Sequence, residues 1–419
     1  MRVLIFHGYL LGGTGSNVYT QALAREWSRA GHDVTVVCQE RHPELYDLGG
    51  ARVVRPELPD GLLPVFVLDR YDGVEARLLQ DFTEEECARY VDVNAAVLRE
   101  LGPADLVFAN HVLMGAAVGN ASGMPFRVKS HGSELEYSMR GRPRLEAWGK
   151  EVLAAADATF VGSRHIREVL EDVVGQVDRV VEVPPGVDIE EFVPQDHEQA
   201  LAELLEEARR DPPNPGSANE RLPDERNAER LASFFAGDEP TVVYFGKLIE
   251  NKGVHLLIEV LRTLAARVVI VGFGDFRPEL EAFAEGLSGR TLFTGPLEHR
   301  HLVHLLPLAD AAVVPSIFPE AFGMVAAEAA AAGCPPLVAR HSGLAEVAAG
   351  LEDEYPARLR HLAAFDSGSV DDLYAKLGEL LSLPTADRDA IRAAARLAVE
   401  KHWSWPTVAA RLLARLASG

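Results

Sequence analysis

Residues 316–333 read SIFPEAFGMVAAEAAAAG, a loop running into a helix with two carboxylates, Glu320 and Glu328, separated by seven intervening residues. Glu320 stands just before the helix and Glu328 two turns inside it. At 1.5 Å per residue their backbones lie about 12 Å apart along the axis. A glycoside hydrolase pair needs roughly 5 to 9.5 Å between carboxyl groups, so hydrolysis by paired acids fits poorly. Two hydroxyl-bearing sugars at either end of a diphosphate fit better, with the helix-opening amides of Phe322, Gly323, Met324 and Val325 facing the phosphates. Glu328 among alanines is also a costly charge to bury without a partner. The plainer alternative is a helix-capping Glu320 and a surface Glu328.

Outward from this stretch, short apolar runs alternate with helical patterns. Ala311 to Val314 precedes it as a strand and Pro336 to Ala339 follows it. The same alternation begins at Thr241: strand Val242 to Phe245, helix Val254 to Ala265, strand Arg267 to Val271, helix Pro278 to Leu287, strand Arg290 to Phe293, helix His301 to Leu308. His361 to Ala364 reads as a last strand. The first half repeats the scheme, with strands Arg2 to Phe6, Val34 to Cys38, Asp105 to Ala109, Arg127 to Lys129, Ala158 to Val161 and Val180 to Val183. Strand, loop, helix, strand is the βαβ unit of a parallel sheet. The expected fold is therefore α/β, two Rossmann-like halves with a ligand cleft at the carboxyl ends of their strands. Residues 195–239 differ. They carry 12 acids against 5 bases, a net −7, and read as an inserted surface excursion with one helix and a mobile loop.

At 419 residues the chain suits two or three domains, and 47% hydrophobic with 25% charged residues excludes a wholly disordered chain. The formal net charge of −22 repels a phosphate backbone and an anionic membrane, so nucleic-acid partners are not expected. Cys38, Cys87 and Cys334 are too widely spaced for a disulfide framework or a zinc site, which points to reducing cytosol. No apolar run approaches the length of a transmembrane helix, and the opening MRVLIFHG reads as a strand rather than a leader.

Other loops at strand ends add chemistry. Gly12-Gly13-Thr14-Gly15 lets backbone amides approach a phosphate, but it is neither a dinucleotide fingerprint nor a Walker motif. A flexible turn is the bland reading. Gly246-Lys247 and Lys252-Gly253 put two lysines in one strand-to-helix loop, where they neutralise a diphosphate without a metal or simply stand solvated. No Asp-x-Asp metal motif is evident. His131, in Lys129-Ser-His-Gly-Ser-Glu134, can face the cleft or be structural. Arg140, Arg142 and Arg144, with Arg164 and Arg167 further on, are a solvated run or a site for an anionic acceptor. Gly272-Phe273-Gly274 is a tight turn. Gly295-Pro296-Leu297 is a turn or a loop that reads a flat base.

In this order the pieces resemble a GT-B glycosyltransferase of family 4, a retaining group. Glu320 and Glu328, followed by Ala-Ala-Gly-Cys-Pro, are similar to its E-x7-E signature. Gly246-Lys247 with Lys252-Gly253 resembles its Gly-Arg…Lys-Gly element, and Pro184-Pro-Gly-Val-Asp188 with Phe192-Val-Pro194 its interdomain segment. Gly12-Gly13 and His131-Gly132 match its N-terminal pieces, and Trp405 marks the return of the last helix to the first domain. The resemblance implies domains at 1–185 plus 403–419 and at 186–402, the second with the 195–239 insertion. It implies Glu320 at donor-sugar hydroxyls, Glu328 at the ribose, Lys247 and Lys252 on the diphosphate, and His131 beside the donor sugar. Gly13, Gly246, Gly272, Leu297, Phe322, Gly323, Met324 and Val325 would line the donor, and Gly12, Thr14, Arg140 and Arg164 the acceptor. No metal or other cofactor is implied. The donor is a sugar nucleotide, UDP-linked by preference and GDP-mannose second, and the acceptor is soluble, with no stable membrane insertion. Two departures stand out: Lys247 for arginine, which loses the planar fork, and Arg340-His-Ser-Gly343 where two glycines are usual. A sugar-nucleotide 2-epimerase, a noncatalytic sugar-nucleotide sensor and an NAD-linked dehydrogenase using Glu40 stay open at this point. Oligomeric state is not legible.

Overall fold

A computed structural model of the chain describes every residue except Thr14, residues 68–72, Ser288 and residues 417–419, and leaves aside the side chains of residues 415 and 416. The chain forms two compact units, Met1–Gly186 with Trp405–Gly419, and Val187–Ser404.

The first unit holds strands β1 (Arg2–Phe6), β2 (Asp33–Val37), β3 (Arg52–Val54), β4 (Leu62–Val65), β5 (Glu75–Leu78), β6 (Leu106–Asn110), β7 (Phe126–Lys129), β8 (Thr159–Val161) and β9 (Val180–Glu182). Seven of them form one parallel sheet in the order β3-β2-β1-β6-β7-β8-β9, and β4 and β5 pair separately. Val3, Leu4 and Ile5 are fully buried. Such unbroken apolar strands belong to a sheet covered by helices on both faces. Strand order reverses between β1 and β6, the switch point where loops diverge and ligands bind. The last helix, Trp405–Leu416, packs within this unit: Trp27 Nε1 donates to the Ala409 carbonyl at 3.2 Å, and the Trp405 ring meets Tyr19 edge-on at 5.3 Å.

The second unit holds β10 (Thr241–Phe245), β11 (Arg267–Val271), β12 (Thr291–Gly295), β13 (Ala311–Val314), β14 (Pro336–Ala339) and β15 (Ala364–Phe365), ordered β12-β11-β10-β13-β14-β15 and all parallel. Its reversal lies between β10 and β13. Both units are thus Rossmann-like. The three cysteines are free and buried. Burial pushes the thiols of Cys38 and Cys334 up to about 12.

Two sequence expectations need correction. Residues 361–363 are not strand: Ala357–Ala363 winds as a 3-10 helix and only Ala364–Phe365 joins the sheet. Leu359 and Leu362 are buried three residues apart, the period of that tighter helix. Nor is 195–239 a decorative excursion. Helix His197–Arg209, capped by Asp196, buries Ala200, Leu204 and Ala208 on one face, and helix Asn227–Phe235 buries Leu231, Phe234 and Phe235. The stretch expected to be mobile is tied around the buried Asn214, whose amide donates to the carbonyls of Asn219 at 3.0 Å and Pro223 at 2.9 Å. Asp224 accepts a bidentate pair from Arg277 at 2.8 and 2.6 Å, while Asn227 and Arg230 bond the carbonyls of Thr294 and Phe293. The segment therefore covers the open edge of β12, with most of its acids outward, Asp224 buried against Arg277, and its apolar stripe in the core. Leu231→Ala is expected to cost about 2–5 kcal/mol and to lower the melting midpoint of the second unit in differential scanning calorimetry, an effect that a peripheral excursion would not produce.

Candidate functional site

In the second unit the loops after β10, β11, β12, β13 and β14 share one edge of the sheet. After β10 the chain passes Gly246 and the exposed Lys247, makes the turn Glu250–Lys252, and bends at Gly253 with φ +68°. A Cβ on Gly253 would lie 2.0 Å from the Pro315 carbonyl oxygen, so only glycine lets this turn rest on the loop after β13. That contact places the Lys252 ammonium on the Glu320 carboxylate as an ion pair. Gly272 stands equally close to Gly246, with a would-be Cβ 1.8 Å from the Gly246 oxygen, and its amide donates to the Gly295 carbonyl at 2.9 Å.

Glu320 is fixed through its own backbone. Its N–H donates to Ser342 Oγ at 2.8 Å, and its carbonyl accepts from the Gly343 N–H at 3.0 Å. Gly323 then opens helix Met324–Ala331, whose first amides have no partner within the helix. The Phe322 ring is buried against Trp403 at 5.8 Å, and its backbone lies close against Gly343. Leu297 is also buried, directly after the β12 loop. Glu328 is half-buried and has no hydrogen bond or ion pair among the described residues. Burial pushes its carboxyl up to about 7, opposed by the charge of His299. His299 itself pairs with Glu191 at 2.5 Å.

The first unit gathers a different set at its own switch point. His7 follows β1, His111 follows β6, and His131 lies two residues past β7, so three neighbouring strands each present an imidazole. The ring centroids are 5.9 Å apart for His7 and His111, and 4.9 Å for His111 and His131. Asn17 bonds His7 at 2.8 Å and Asn110 bonds His131 at 2.7 Å, while neither nitrogen of His111 has a hydrogen-bond partner among the described residues. Burial lowers all three, His7 to about 4, and neighbouring histidines lower His111 and His131 further. The cluster is uncharged near neutrality. Glu134 beneath it accepts from the Val112 amide at 2.6 Å, and burial pushes its carboxyl up to about 8. Burial brings the Lys129 ammonium, bonded to the Val183 carbonyl at 3.2 Å, down to about 7.

The glycine loop after β1 is held in shape rather than loose. Glu40 accepts from the Leu11, Arg41 and His42 amides at 3.1, 2.9 and 2.9 Å, and the Asn17 amide reaches the Gly12 carbonyl. Glu40 is thereby committed to the chain's own amides, which removes the ribose acid that a dehydrogenase would need. Gly13, at φ +93°, has open space where a Cβ would be, whereas Gly12 is backed by the Tyr46 hydroxyl. Thr14 lies outside the described residues. Arg140 is bound between Glu136 and Asp172 as a surface ion-pair group, and Arg164 is exposed at the start of helix Arg164–Val174. The sequence reading missed His7, His111, Asn110 and Glu134 as a group. The available signal was a histidine recurring just past the end of a strand.

Among the described residues no three His, Cys, Asp or Glu side chains converge as a metal-binding group, and no helix is long and apolar enough to cross a membrane. The electrostatics predict a pH effect. A carboxyl held near 7 in the fold, against an ordinary 4.5, binds its proton more tightly folded than unfolded. Stability is therefore lost as pH rises through this window. Glu328→Gln should melt above the wild type at pH 8, with the gap closing towards pH 4.5, as read from melting curves of both proteins.

Comparison with known proteins agrees with this geometry. Residues 225–397 match the family described as glycosyl transferases group 1, and residues 14–186 match the glycosyl transferase 4-like domain. The first match takes in helix Asn227–Phe235, so less of the 195–239 segment lies outside the resemblance than expected. The chain is 30% identical over 357 residues to D-inositol 3-phosphate glycosyltransferase of Xylanimonas cellulosilytica, covering 80% of this chain and 77% of that protein. It is 27% identical over 327 residues to the GDP-mannose-dependent alpha-(1-6)-phosphatidylinositol monomannoside mannosyltransferase of Mycolicibacterium smegmatis, covering 73% of each. Among solved structures, sucrose-phosphate synthase of Thermosynechococcus elongatus aligns with a TM-score of 0.68 at 19% identity, over 100% of this chain and 98% of that one. HepE of Anabaena, in complex with UDP and glucose, aligns at 0.66 with 16% identity over 99% of each chain. These two likenesses speak for the fold alone.

Proposed function

Because the chain belongs to the GT-B glycosyltransferases of family 4 and uses a nucleotide sugar donor, we propose that it transfers the sugar to a soluble acceptor hydroxyl with retention of configuration and without a metal ion. The observation that carries this reading is the Lys252–Glu320 pair at the β10–β13 switch point, beside the first amides of helix Met324–Ala331. One carboxylate for sugar hydroxyls stands against a cation for the diphosphate.

In this reading the donor's phosphates draw on Lys247, Lys252 and the amides of Gly323, Met324 and Val325, with Gly246 and Gly272 allowing close approach. Glu328 takes the ribose hydroxyls, and the loop Gly295 to Leu297 takes the base through its backbone. The C1–O bond to the diphosphate breaks as negative charge grows on the leaving oxygen, where preorganised cations and amides stabilise it. The acceptor oxygen bonds C1 on the same face, and its proton passes to the leaving phosphate. Glu320 holds donor-sugar hydroxyls during this step. His131, oriented by Asn110 and kept uncharged by burial, hydrogen-bonds the donor sugar.

A UDP-sugar is the first donor and GDP-mannose the second. The inositol phosphate in a relative's name supports a soluble phosphorylated polyol as acceptor, and Gly12, Gly13 and Arg164 are the first-unit candidates to meet it. Arg140, already matched by two carboxylates, is the weaker candidate.

Thermal shift against UDP, GDP, ADP and their sugars tests the donor, since a ligand of the folded state raises the melting point. A shift confined to one nucleotide, unchanged by EDTA and lost in Glu328→Ala, is the expected result. No shift with any nucleotide would sink the reading. In a transfer assay with D-inositol 3-phosphate, Lys252→Ala is expected to lower kcat about 10²–10³-fold, and EDTA to leave the rate unchanged.

A further inference from the structure

The loop that carries Glu320 is held at both ends by one tripeptide, His341-Ser342-Gly343, which follows β14. His341 Nε2 lies 2.7 Å from the Ser316 carbonyl and its Nδ1 lies 2.9 Å from Ser342 Oγ. Ser342 Oγ accepts the Glu320 N–H, and Gly343 donates to the Glu320 carbonyl. One proton arrangement satisfies every member: Nε2–H donates to Ser316, the Ser342 hydroxyl donates to Nδ1, and a lone pair of that hydroxyl takes the Glu320 N–H. The chain continues, because the Ile317 N–H donates to the Asn251 carbonyl at 3.0 Å, while the Ser316 hydroxyl lies between the Phe318 carbonyl at 3.0 Å and that of Asn251 at 3.3 Å. Asn251 neighbours Lys252. The loops after β14, β13 and β10 are thus linked, and the link ends on the Glu320–Lys252 pair.

Ser342 maintains this link at a strained backbone angle. Its φ is +45°, in the left-handed region that glycine enters freely and a serine does not. Glycine would relieve the strain but would remove the acceptor for the Glu320 N–H. Strain of this kind persists only where the surroundings impose it, and here they do so beside a functional carboxylate.

The geometry points to Ser342 and His341 as positioning residues that set the backbone of Glu320, and through it the carboxylate, for the transfer step. This rests on the reading of Glu320 as the donor-sugar contact. A substitution at Ser342 should therefore separate stability from turnover.

The test compares the full chain with Ser342→Gly, Ser342→Ala, Ser342→Asn and Glu320→Gln. Turnover is followed as nucleotide release from UDP-glucose or GDP-mannose, whichever reacts faster. Ser342→Gly is expected to melt no lower than the wild type, to exchange its Glu320 amide hydrogen faster, and to lose about tenfold in kcat with KM for the donor little changed. Ser342→Ala should lose kcat similarly and also melt lower, because alanine keeps the strained angle and supplies no oxygen. Ser342→Asn should recover much of the rate, since asparagine tolerates the left-handed region and its side-chain carbonyl can accept the Glu320 N–H. Full turnover in Ser342→Gly, with turnover lost in Glu320→Gln, would overturn the inference and leave the role of Glu320 intact. Full turnover in Glu320→Gln would overturn the role of Glu320 itself. A rate that follows the melting temperature across the serine variants would reduce Ser342 to a structural residue.

Discussion

The second unit depends on a place where two stretches of backbone approach more closely than any side chain permits. At Gly253 the turn after β10 lies against the Pro315 carbonyl. A methyl group there would force the turn away and carry Lys252 off Glu320. The ion pair, the unpaired amides at the start of helix Met324–Ala331 and the clamp from His341-Ser342 are all arranged around that contact. Gly246 and Gly272 repeat the device one strand further out. The site is built first from backbone proximity and only then from charge, which is why glycines follow so many of its strands.

The two units bring opposite electrostatics to their switch points. The second brings together lysines, carboxylates and the first amides of a helix. The first presents three imidazoles that burial keeps uncharged, above a carboxyl whose affinity for its proton is raised. Uncharged imidazoles offer hydrogen-bond donors and acceptors without a net charge. A net charge of −22 does not exclude binding an anionic donor where cations are local, and most acids of 195–239 are exposed.

Much of the architecture was legible because buried parallel strands are short apolar runs separated by helical patterns. The strands Arg2–Phe6, Arg267–Val271, Ala311–Val314 and Pro336–Ala339 can be read directly from the sequence, and the spacing of Glu320 and Glu328 identifies their loop and helix. The remainder was hidden for physical reasons. The 195–239 segment looks like a solvated insertion because its charge count outweighs a sparse apolar stripe, Ala200, Leu204, Ala208 and Leu231, that becomes visible only against the edge of β12. Residues 361–363 carry no period distinguishing a short strand from a 3-10 turn. In the histidine group His7 stands more than 100 residues before His111 and His131, and the sheet order that makes them neighbours is a tertiary fact. His341-Ser342 looked like a departure from a glycine pair, and its meaning lies in a left-handed angle that a sequence does not display.

The three buried thiols have a consequence of their own. Cys38 and Cys87 lie in the first unit and Cys334 in the second, all enclosed and, by burial, reluctant to ionise. An alkylating reagent reacts with the exposed thiolate, so the native chain is inert to it until a unit opens. Each unit therefore carries an internal clock for its own unfolding. The rate at which Cys334 is trapped times the opening of the second unit, and the rates at Cys38 and Cys87 time the first, in the unaltered protein and without a label.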